Sequence, residues 1–216
     1  MPATSLINLL PQEKGEQIYT LCRHPLRHYT EAFIRQRYDE DYGARISHFC
    51  SRLMVSVFEG EIQSAIGFEL AQHRQLFLEQ YFSQPVEQVI AHKCNLPTTR
   101  GQIVEVGNLA SQSHGALRRF ILILGQYFIQ QHLQWVVFTA IPSLLHTFEK
   151  FQIPLYELGE ARPDALGEEA GNWGSYYKKS PKVVAAHLGT GMAKLRSNAM
   201  LAKLVDAQPT PLFLGQ

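Results

Sequence analysis

The chain lacks an excess of charge of either sign and a long apolar run. Its 216 residues include 20 Lys and Arg and 19 Asp and Glu, for a formal net charge of +1. No global basic field is therefore available to attract nucleic acid or an anionic membrane. The longest strongly apolar stretch, residues 120–124, is far shorter than the ~20 residues of a membrane-spanning helix. We expect neither nucleic-acid binding nor stable membrane insertion, and any anion site must be local.

Metal-binding and disulfide patterns are also missing. The sequence contains three widely spaced cysteines: Cys22, Cys50 and Cys94. An odd number without a CxxC pair predicts reduced, mostly buried thiols. Four histidines stand without a second ligand at helical or strand spacing: His24, His28, His73 and His114. No metal is expected, and because the first ten residues lack a basic region and a cleavage site, we expect a cytoplasmic protein.

The length and the 45% hydrophobic content allow one substantial core. We predict a single domain over residues 1–188. Residues 189–216 are predicted to form a weakly amphipathic C-terminal helix and a frayed tail.

The first half of the chain predicts helices and then a hairpin. Apolar periodicity near 3.6 predicts two early helices, one around residues 18–22 and one around residues 29–37. Residues 37–48 are polar and aromatic-rich, which indicates a mobile stretch. Alternation in residues 53–58 and 62–70 predicts an antiparallel hairpin. A further strand is predicted over residues 76–82, and a helix from Pro85 to about Lys93.

The second half predicts a β-α-β-α unit. Residues 103–110 are strand-like, residues 115–128 follow one helical face, and residues 135–140 have the composition of a buried strand. Pro142 opens another helix. Strands joined by such a crossover are normally parallel, so we predict an α/β (α+β) fold in which an antiparallel meander leads into a βαβ unit.

The loop of this unit is a candidate anion site. Residues Ser111 to His114 enter the helix through Gly115, where main-chain N–H groups have no intrahelical acceptor. Arg118 and Arg119 lie in the first helical turn, where the helix dipole disfavours a positive charge. A bound phosphate would make this position favourable for both arginines. The alternative is an N-cap Ser111 or Ser113 followed by two solvated arginines.

Glu105 is an acid within an otherwise apolar strand. Partial burial would raise its pKa and make it a general base for an amine. A structural ion pair with one of the arginines is an equally good interpretation. Gly107 and Asn108 indicate a bulge or splay near the strand end, which would free main-chain groups for a ligand.

Four segments carry a family resemblance: residues 76–81 (LFLEQY), 103–110 (IVEVGNLA), 135–140 (WVVFTA) and 173–177 (WGSYY). With these motifs the chain resembles the thermostable hemolysin family, which is similar to acyl-homoserine-lactone synthases and to the GNAT superfamily of N-acyltransferases. The resemblance implies a GNAT-like mixed central sheet with a splay between its two central parallel strands. It also implies an acyltransferase that uses an acyl-CoA or acyl-carrier-protein thioester, with a small-molecule amine as acceptor.

The resemblance implies the following donor-binding residues. The pantetheine arm would bind the main chain of Asn108, Leu109 and Ala110, and the thioester would lie between Phe138 and Thr139. The diphosphate would lie on five residues: Gln112, Ser113, His114, Gly115 and Ala116. Leu117 occupies a position where a second small residue is usual, which leaves room for a longer acyl-CoA or an acyl carrier protein.

The resemblance further implies that Phe33, Arg37 and residues 38–48 form a mobile cover over an acceptor pocket, which Glu79 and Trp173 would face. Tyr176 or Tyr177 would protonate the departing thiolate. A packed aromatic strand is the better interpretation of either tyrosine taken singly.

The hypothesised mechanism is direct attack of an amine deprotonated by Glu105, with main-chain N–H groups near Leu109 polarising the carbonyl. A second hypothesis takes the family name literally and predicts a membrane-active lytic protein. A third predicts a non-catalytic module that binds an acyl carrier.

Overall fold

The computed structural model describes residues 15–214, in which eight strands form one mixed sheet with helices on both faces. The strands are β1 (Gln17–Leu21), β2 (Arg52–Phe58), β3 (Glu61–Leu70), β4 (Ile103–Ser111), β5 (Trp135–Ala140), β6 (Tyr156–Glu160), β7 (Lys182–His187) and β8 (Leu212–Leu214). The helices are α1 (Leu26–Tyr42), α2 (Val86–Cys94), α3 (His114–Gln130), α4 (Pro142–Lys150), α5 (Leu188–Ser197) and α6 (Ala199–Asp206). The spatial strand order is β6-β7-β5-β4-β3-β2-β1-β8.

The predicted meander and βαβ unit are confirmed. Strands β2 and β3 form an antiparallel hairpin, and β4 continues the antiparallel order beside β3. Strand β5 then pairs parallel to β4, with α3 as the crossover. The predicted helices from Pro85 and Pro142 are also present, as α2 and α4.

Two element types were predicted wrongly. Residues 17–21 form strand β1 instead of a helix, and Ile18 packs on one face of the sheet while Tyr19 and Leu21 pack on the other. A short run that is apolar on both faces fits the helical period of hydrophobic residues and the strand period equally well, so it does not distinguish a helix from a strand. Residues 77–81 form a 3₁₀ turn instead of a strand, because the main-chain N–H groups of this segment donate to carboxylates instead of to a neighbouring strand.

Two stretches that were predicted to be irregular form regular structure or pack in the core. Helix α1 continues to Tyr42 and ends at Gly43, whose φ of 64° is left-handed, and Ala44 and Ile46 beyond it are buried. The single C-terminal helix is two helices that break at Asn198, whose side chain accepts from the main chain of α6. Residues 212–214 are strand β8, paired with β1, and not a frayed tail. The domain division at residue 188 stays a prediction.

The predicted splay lies between β4 and β5. The two strands pair from Ile103 and Trp135 as far as Val106 and Phe138. Beyond that point Asn108 has a φ of 50°, and the register of β4 against β3 shifts. Such a bulge bends one strand away from its neighbour, so a gap opens between β4 and β5 beyond Val106 and Phe138.

Each face of the sheet carries its own core. One face holds α1 and α2, with Leu53 and Val55 in one cluster and Ile103 and Trp135 in another. The opposite face packs against α3 through Phe68 and neighbouring residues, and against α4 through Phe138. The gap between β4 and β5 therefore has a different hydrophobic core on each face of the sheet beside it.

A turn at residues 173–179 closes over the end of α1. The Ser175 N–H donates to the Tyr42 carbonyl oxygen at 2.8 Å, and the Arg45 N–H donates to the Asn172 carbonyl oxygen at 2.7 Å. This approach requires glycine at position 174, where φ is 53° and a Cβ atom would lie 2.1 Å from the Tyr42 oxygen.

We predict that Gly174→Ala lowers the free energy of unfolding by at least ~2 kcal/mol, since the new methyl group meets both backbone strain and a main-chain atom. Gly171→Ala is the matched control, because a Cβ atom there meets nothing within 4 Å and should change stability by less than ~0.5 kcal/mol. Urea denaturation measures both. Equal stability of the two variants would show that the turn does not dock on α1 in this way.

Candidate active site

A cleft lies where β4 and β5 part. We call it the splay cleft, with a volume of ≈ 420 Å³. It is lined by the end of α1, by residues 109–114, by the start of α4 and by the turn at residues 173–179. Helices α3 and α4 both begin at its rim, because each follows one of the two parallel strands. Helix N-termini carry partial positive charge, so this cleft favours an anion.

The loop that enters α3 forms one wall of the cleft. Gln112, Ser113 and His114 are exposed and line it, and Gly115 is exposed beside them. The Ser113 hydroxyl accepts from the Ala116 N–H at 3.2 Å, so the predicted N-cap is present. That cap leaves the wall open toward the cleft, and the two interpretations of this loop do not exclude each other.

Arg118 and Arg119 do not line the cleft. Arg119 pairs with Glu16, with 3.2 Å between Nε and Oε2, and Arg118 is exposed outside the cleft. The Arg119 guanidinium lies beside Gly115, where an added Cβ atom would be 3.9 Å from Nη1. The role of both arginines as phosphate ligands stays a prediction.

The predicted donor residues divide between three cavities. Leu109, Ala110 and Thr139 line the splay cleft. Phe138 faces an apolar cavity on the α3 side of the sheet. The Asn108 side chain turns to the other face, where Oδ1 accepts from the Cys50 N–H at 3.0 Å and Nδ2 donates to the His48 carbonyl oxygen at 3.1 Å. Its side chain therefore fixes the neighbouring segment, while its main chain forms the bulge.

A second cavity, which we call the carboxylate pocket, lies beside β4 on the α1 side of the sheet. It contains the carboxylates of Glu69 and Glu105, with Arg74 at its mouth. Its remaining lining residues are His48, Cys50, Gln75, Leu76, Phe77, Gln80, Gly107, Asn108 and Trp173.

Glu105 is 5% exposed and is held by main-chain donors. The Phe77 N–H reaches Oε2 at 2.7 Å and the Leu78 N–H reaches Oε1 at 3.0 Å. Among the described residues it has no arginine partner, so the predicted alternative of a structural ion pair is wrong. Burial raises the pKa of Glu105 to about 8; the two N–H groups oppose this and nearby carboxylates add to it. Such a carboxyl group exchanges a proton near neutral pH.

The segment from His48 to Ser51 forms a wall of the carboxylate pocket. Arg27 donates to the Cys50 and Ser51 carbonyl oxygens at 2.7 and 2.8 Å, and the Ser51 N–H donates to Glu69 at 2.9 Å. Gly67 lies beneath this segment, where a Cβ atom would be 2.6 Å from the Asn108 side chain and 2.8 Å from Cys50. Burial raises the pKa of the Cys50 thiol, and the carboxylates of Glu105 and Glu69 raise it further, so the thiol stays neutral. All three cysteines are free and half-buried.

The two candidate tyrosines differ in position. Tyr176 lines the splay cleft, and its hydroxyl points to the Thr139 carbonyl oxygen at 3.5 Å. Tyr177 instead shares a hydrogen bond of 2.5 Å with Tyr81. Burial raises the pKa of Tyr176 well above its ordinary value. Tyr176 is therefore the one placed to give a proton at the cleft. The predicted strand is absent, since 3₁₀ turns flank Gly174, although the aromatic packing is present.

The four predicted acceptor residues are not brought together. Trp173 lines the carboxylate pocket, where its ring lies 5.8 Å from that of Phe77. Arg37 instead lines the splay cleft, and Phe33 is packed in the core beneath α1. Glu79 is held outside the carboxylate pocket by Arg100, with Oε1 2.6 Å from Nη1. Burial opposes ionisation of Glu79, but that guanidinium and two N–H groups keep its pKa below the ordinary value.

Sequence reasoning missed the cavity on the α3 side, which we call the apolar chamber. It lies between β4, β5 and β7 and helices α3, α4 and α5, and shares Leu109 and Leu144 with the splay cleft. Its walls include Gly125, Ala186 and Met192. Gly125 within the apolar face of α3 was the available signal, because a residue without a side chain lets another element approach closely; here an added Cβ atom would lie 3.2 Å from the Met192 Sδ atom.

Residues 15–214 contain no group of three or more His, Cys, Asp or Glu side chains that could hold a metal ion. In the same range, no helix combines the length and apolarity needed to cross a bilayer.

Solved structures with a similar fold are acyl-transferring synthases. The acyl-homoserine-lactone synthase LasI is 11% identical, with a TM-score of 0.55 over 82% of this chain and 91% of its own. BjaI, a CoA-dependent acyl-homoserine-lactone synthase solved with SAM and isopentyl-CoA, is 10% identical, with a TM-score of 0.61 over 94% of this chain and 95% of its own. FeeM, an N-acyl amino acid synthase from uncultured soil microbes, is 11% identical, with a TM-score of 0.59 over 83% of this chain and 94% of its own.

At such identities the similarity establishes the fold, which is the GNAT-like fold that the sequence motifs implied. No curated protein matches the chain. The family model for thermostable hemolysin matches residues 21–192, which include both parallel strands and all the residues that line the splay cleft and the carboxylate pocket. The chain therefore belongs to the thermostable hemolysin family.

Proposed function

We propose that this protein is an N-acyltransferase that moves an acyl group from a CoA or acyl-carrier-protein thioester to an amine. One observation carries the proposal. Successive residues of β4 line an anion-favouring cleft and an apolar chamber, which share Leu109 and Leu144, and a separate pocket with a buried carboxyl group of raised pKa. An acyl thioester with a phosphorylated carrier and an amine acceptor need these three environments.

The donor would enter along the splay cleft. Its phosphates would lie at the start of α3 beside residues 112–115, and its pantetheine amides would pair with the main chain that β4 leaves free after Val106. The thioester would then lie between Leu109 and Thr139. Main-chain N–H groups near Leu109 would polarise its carbonyl oxygen.

The acyl chain would extend into the apolar chamber. Leu109 and Leu144 belong to both cavities, so a chain attached at the gap has an apolar path to the α3 side. Burial of each methylene group there contributes about 0.8 kcal/mol. This supports a donor with an acyl chain longer than acetyl, in agreement with the bulky Leu117 at the cleft.

The acceptor amine would approach from the carboxylate pocket. Its nitrogen would attack the thioester carbonyl carbon to form the C–N bond while the C–S bond breaks. Glu105, or a water bound to it, would take the proton from nitrogen, and Tyr176 would give a proton to the departing thiolate. At the pocket mouth Glu69 and Arg74 pair, with 2.8 Å between Oε2 and Nε, and such a pair complements the two charges of an amino acid. FeeM, which has the same fold, is an N-acyl amino acid synthase.

We predict that Glu105→Gln lowers kcat by 10²–10⁴-fold, the usual contribution of a general base, while the affinity for the acyl donor is unchanged. Steady-state kinetics and calorimetric donor binding measure the two quantities. Glu61→Gln, at an exposed position on β3, is the matched control and should keep full activity. Unchanged turnover in Glu105→Gln would remove the base from the mechanism and leave a donor-binding module.

The rate should also depend on pH in a defined direction. Because burial raises the pKa of Glu105 to about 8, the carboxylate form that accepts a proton accumulates only as the pH rises through that value. We expect kcat/KM to increase between about pH 7 and 9. Glu105→Gln should lose this limb and keep only the titration of the acceptor amine. A wild-type profile that is flat, or that falls with increasing pH, would contradict the assignment.

Chain-length selection should follow the apolar chamber. Gly125→Leu on α3 and Ala186→Leu on β7 fill it from two different walls. Each should shift the preferred acyl chain to fewer carbons while turnover of an acetyl donor is retained. A panel of acyl thioesters of increasing length measures the shift, and thermal unfolding checks that both variants fold. If neither variant changes the preferred length, the acyl chain does not occupy this chamber.

A further inference from the structure

The charge balance of the splay cleft identifies a donor-binding residue on the turn at residues 173–179. Two cationic side chains, Arg37 and Lys179, and one carboxylate, Asp41, line the cleft. Arg37 is neutralised by neighbours on its own helix, with 2.5 Å from Nη1 to Glu40 and 3.0 Å from Nη2 to Asp41. Within residues 15–214, Lys179 has no carboxylate partner. Its charge is therefore not taken up by a carboxylate, whereas Arg37 keeps only its buried Nε without a hydrogen-bond partner in that range.

The position of Lys179 is set by aromatic and main-chain contacts. Its Nζ lies 4.7 Å from the centre of the Tyr42 ring, a distance at which the ring attracts the cation. Tyr42 in turn packs against Tyr176 and accepts the Ser175 N–H through its carbonyl oxygen. These contacts hold the ammonium at the α1 side of the cleft. The loop of residues 111–114 lies on the α3 side, so the cleft has two anion-favouring walls.

The N-terminus of helix α4 adds further positive potential to the splay cleft. It begins at Pro142, and the exposed Ser143 in its first turn lines the cleft. Two helix N-termini and the Lys179 ammonium face the cleft from different sides, so an anion with two charged groups can contact more than one of them. A diphosphate matches this arrangement better than the single phosphate of a carrier-protein phosphopantetheine arm.

We infer that Lys179 binds the diphosphate of the donor and makes CoA, not an acyl carrier protein, the preferred acyl carrier. The inference rests on the proposed function, because it assigns the donor to the splay cleft. The loop at the start of α3 would hold one phosphate group and Lys179 the other. Lys179 is a positioning and specificity residue in this account, and it takes no part in the transfer of the acyl group.

The experiment compares three donors with the same acyl group on two lysine variants. The donors are acyl-CoA, acyl-4′-phosphopantetheine with one phosphate, and acyl-pantetheine with none. Lys179→Gln removes the proposed ligand. Lys178→Gln is the matched control, since this neighbour is also exposed and does not line the cleft. Calorimetry gives Kd for stable thioether analogues of each donor, and steady-state kinetics gives KM and kcat for the thioesters.

For Lys179→Gln we expect a Kd and KM for the CoA donor about tenfold higher than in the wild type, as for loss of one charge-assisted hydrogen bond. The values for acyl-pantetheine and kcat at saturation should not change. The wild type should bind acyl-CoA more tightly than acyl-4′-phosphopantetheine, and Lys179→Gln should reduce that difference. Lys178→Gln should behave as the wild type.

Three results would overturn the inference: equal losses for CoA and pantetheine donors, equal losses in the two lysine variants, or a wild type that binds the CoA and monophosphate donors equally. Each can occur in an active acyltransferase, so the proposed function would survive. A wild-type protein that binds none of the three donors and has no turnover would remove the proposed function together with this inference.

Discussion

Strands β4 and β5 share hydrogen bonds only as far as Val106 and Phe138, and the arrangement of the candidate site depends on this interruption. A continuous sheet would separate the α1 side from the α3 side with a paired backbone. The left-handed residue Asn108 and the bulge beside it turn β4 away from β5. This local backbone feature frees main-chain groups beside the splay cleft and the apolar chamber, which share Leu109 and Leu144, and the carboxylate pocket lies next to them along β4. The side chain of Asn108 stabilises the arrangement by fixing the segment that covers Gly67.

The second constraint is the burial of Glu105. A carboxyl group that is 5% exposed has a large desolvation cost when it is ionised. Here it receives main-chain N–H groups from the 3₁₀ turn of residues 77–81 and has no arginine partner within the described part of the chain. The turn and the carboxyl group thus depend on each other. The N–H groups of the turn have no partner in a neighbouring strand, and the Glu105 carboxyl group accepts hydrogen bonds from them. The resulting pKa of about 8 suits proton transfer from an amine.

The sequence predicted the parts of the fold whose patterns are local. The hairpin, the β4-α3-β5 crossover and the helix starts at Pro85 and Pro142 follow from alternation, helical spacing and proline position. Residues 17–21 and 76–82 were assigned wrongly because long-range partners decide them: one pairs with β2 and β8, and the other caps the carboxylates of Glu79 and Glu105. At the site, Glu105 and the loop before α3 were identified from the local sequence pattern of a strand, a loop and a helix. The ion pair of Arg119 and the apolar chamber required tertiary packing and had no sequence signal beyond Gly125.

A crystal structure with a stable thioether analogue of a medium-chain acyl-CoA would show whether acyl transfer takes place at the gap. We predict the sulfur atom in the gap beyond Val106 and Phe138, the acyl chain in the apolar chamber and the diphosphate beside residues 111–114. An analogue bound outside the gap, or an acyl chain directed into the carboxylate pocket, would contradict the idea that the parting of β4 and β5 organises acyl transfer.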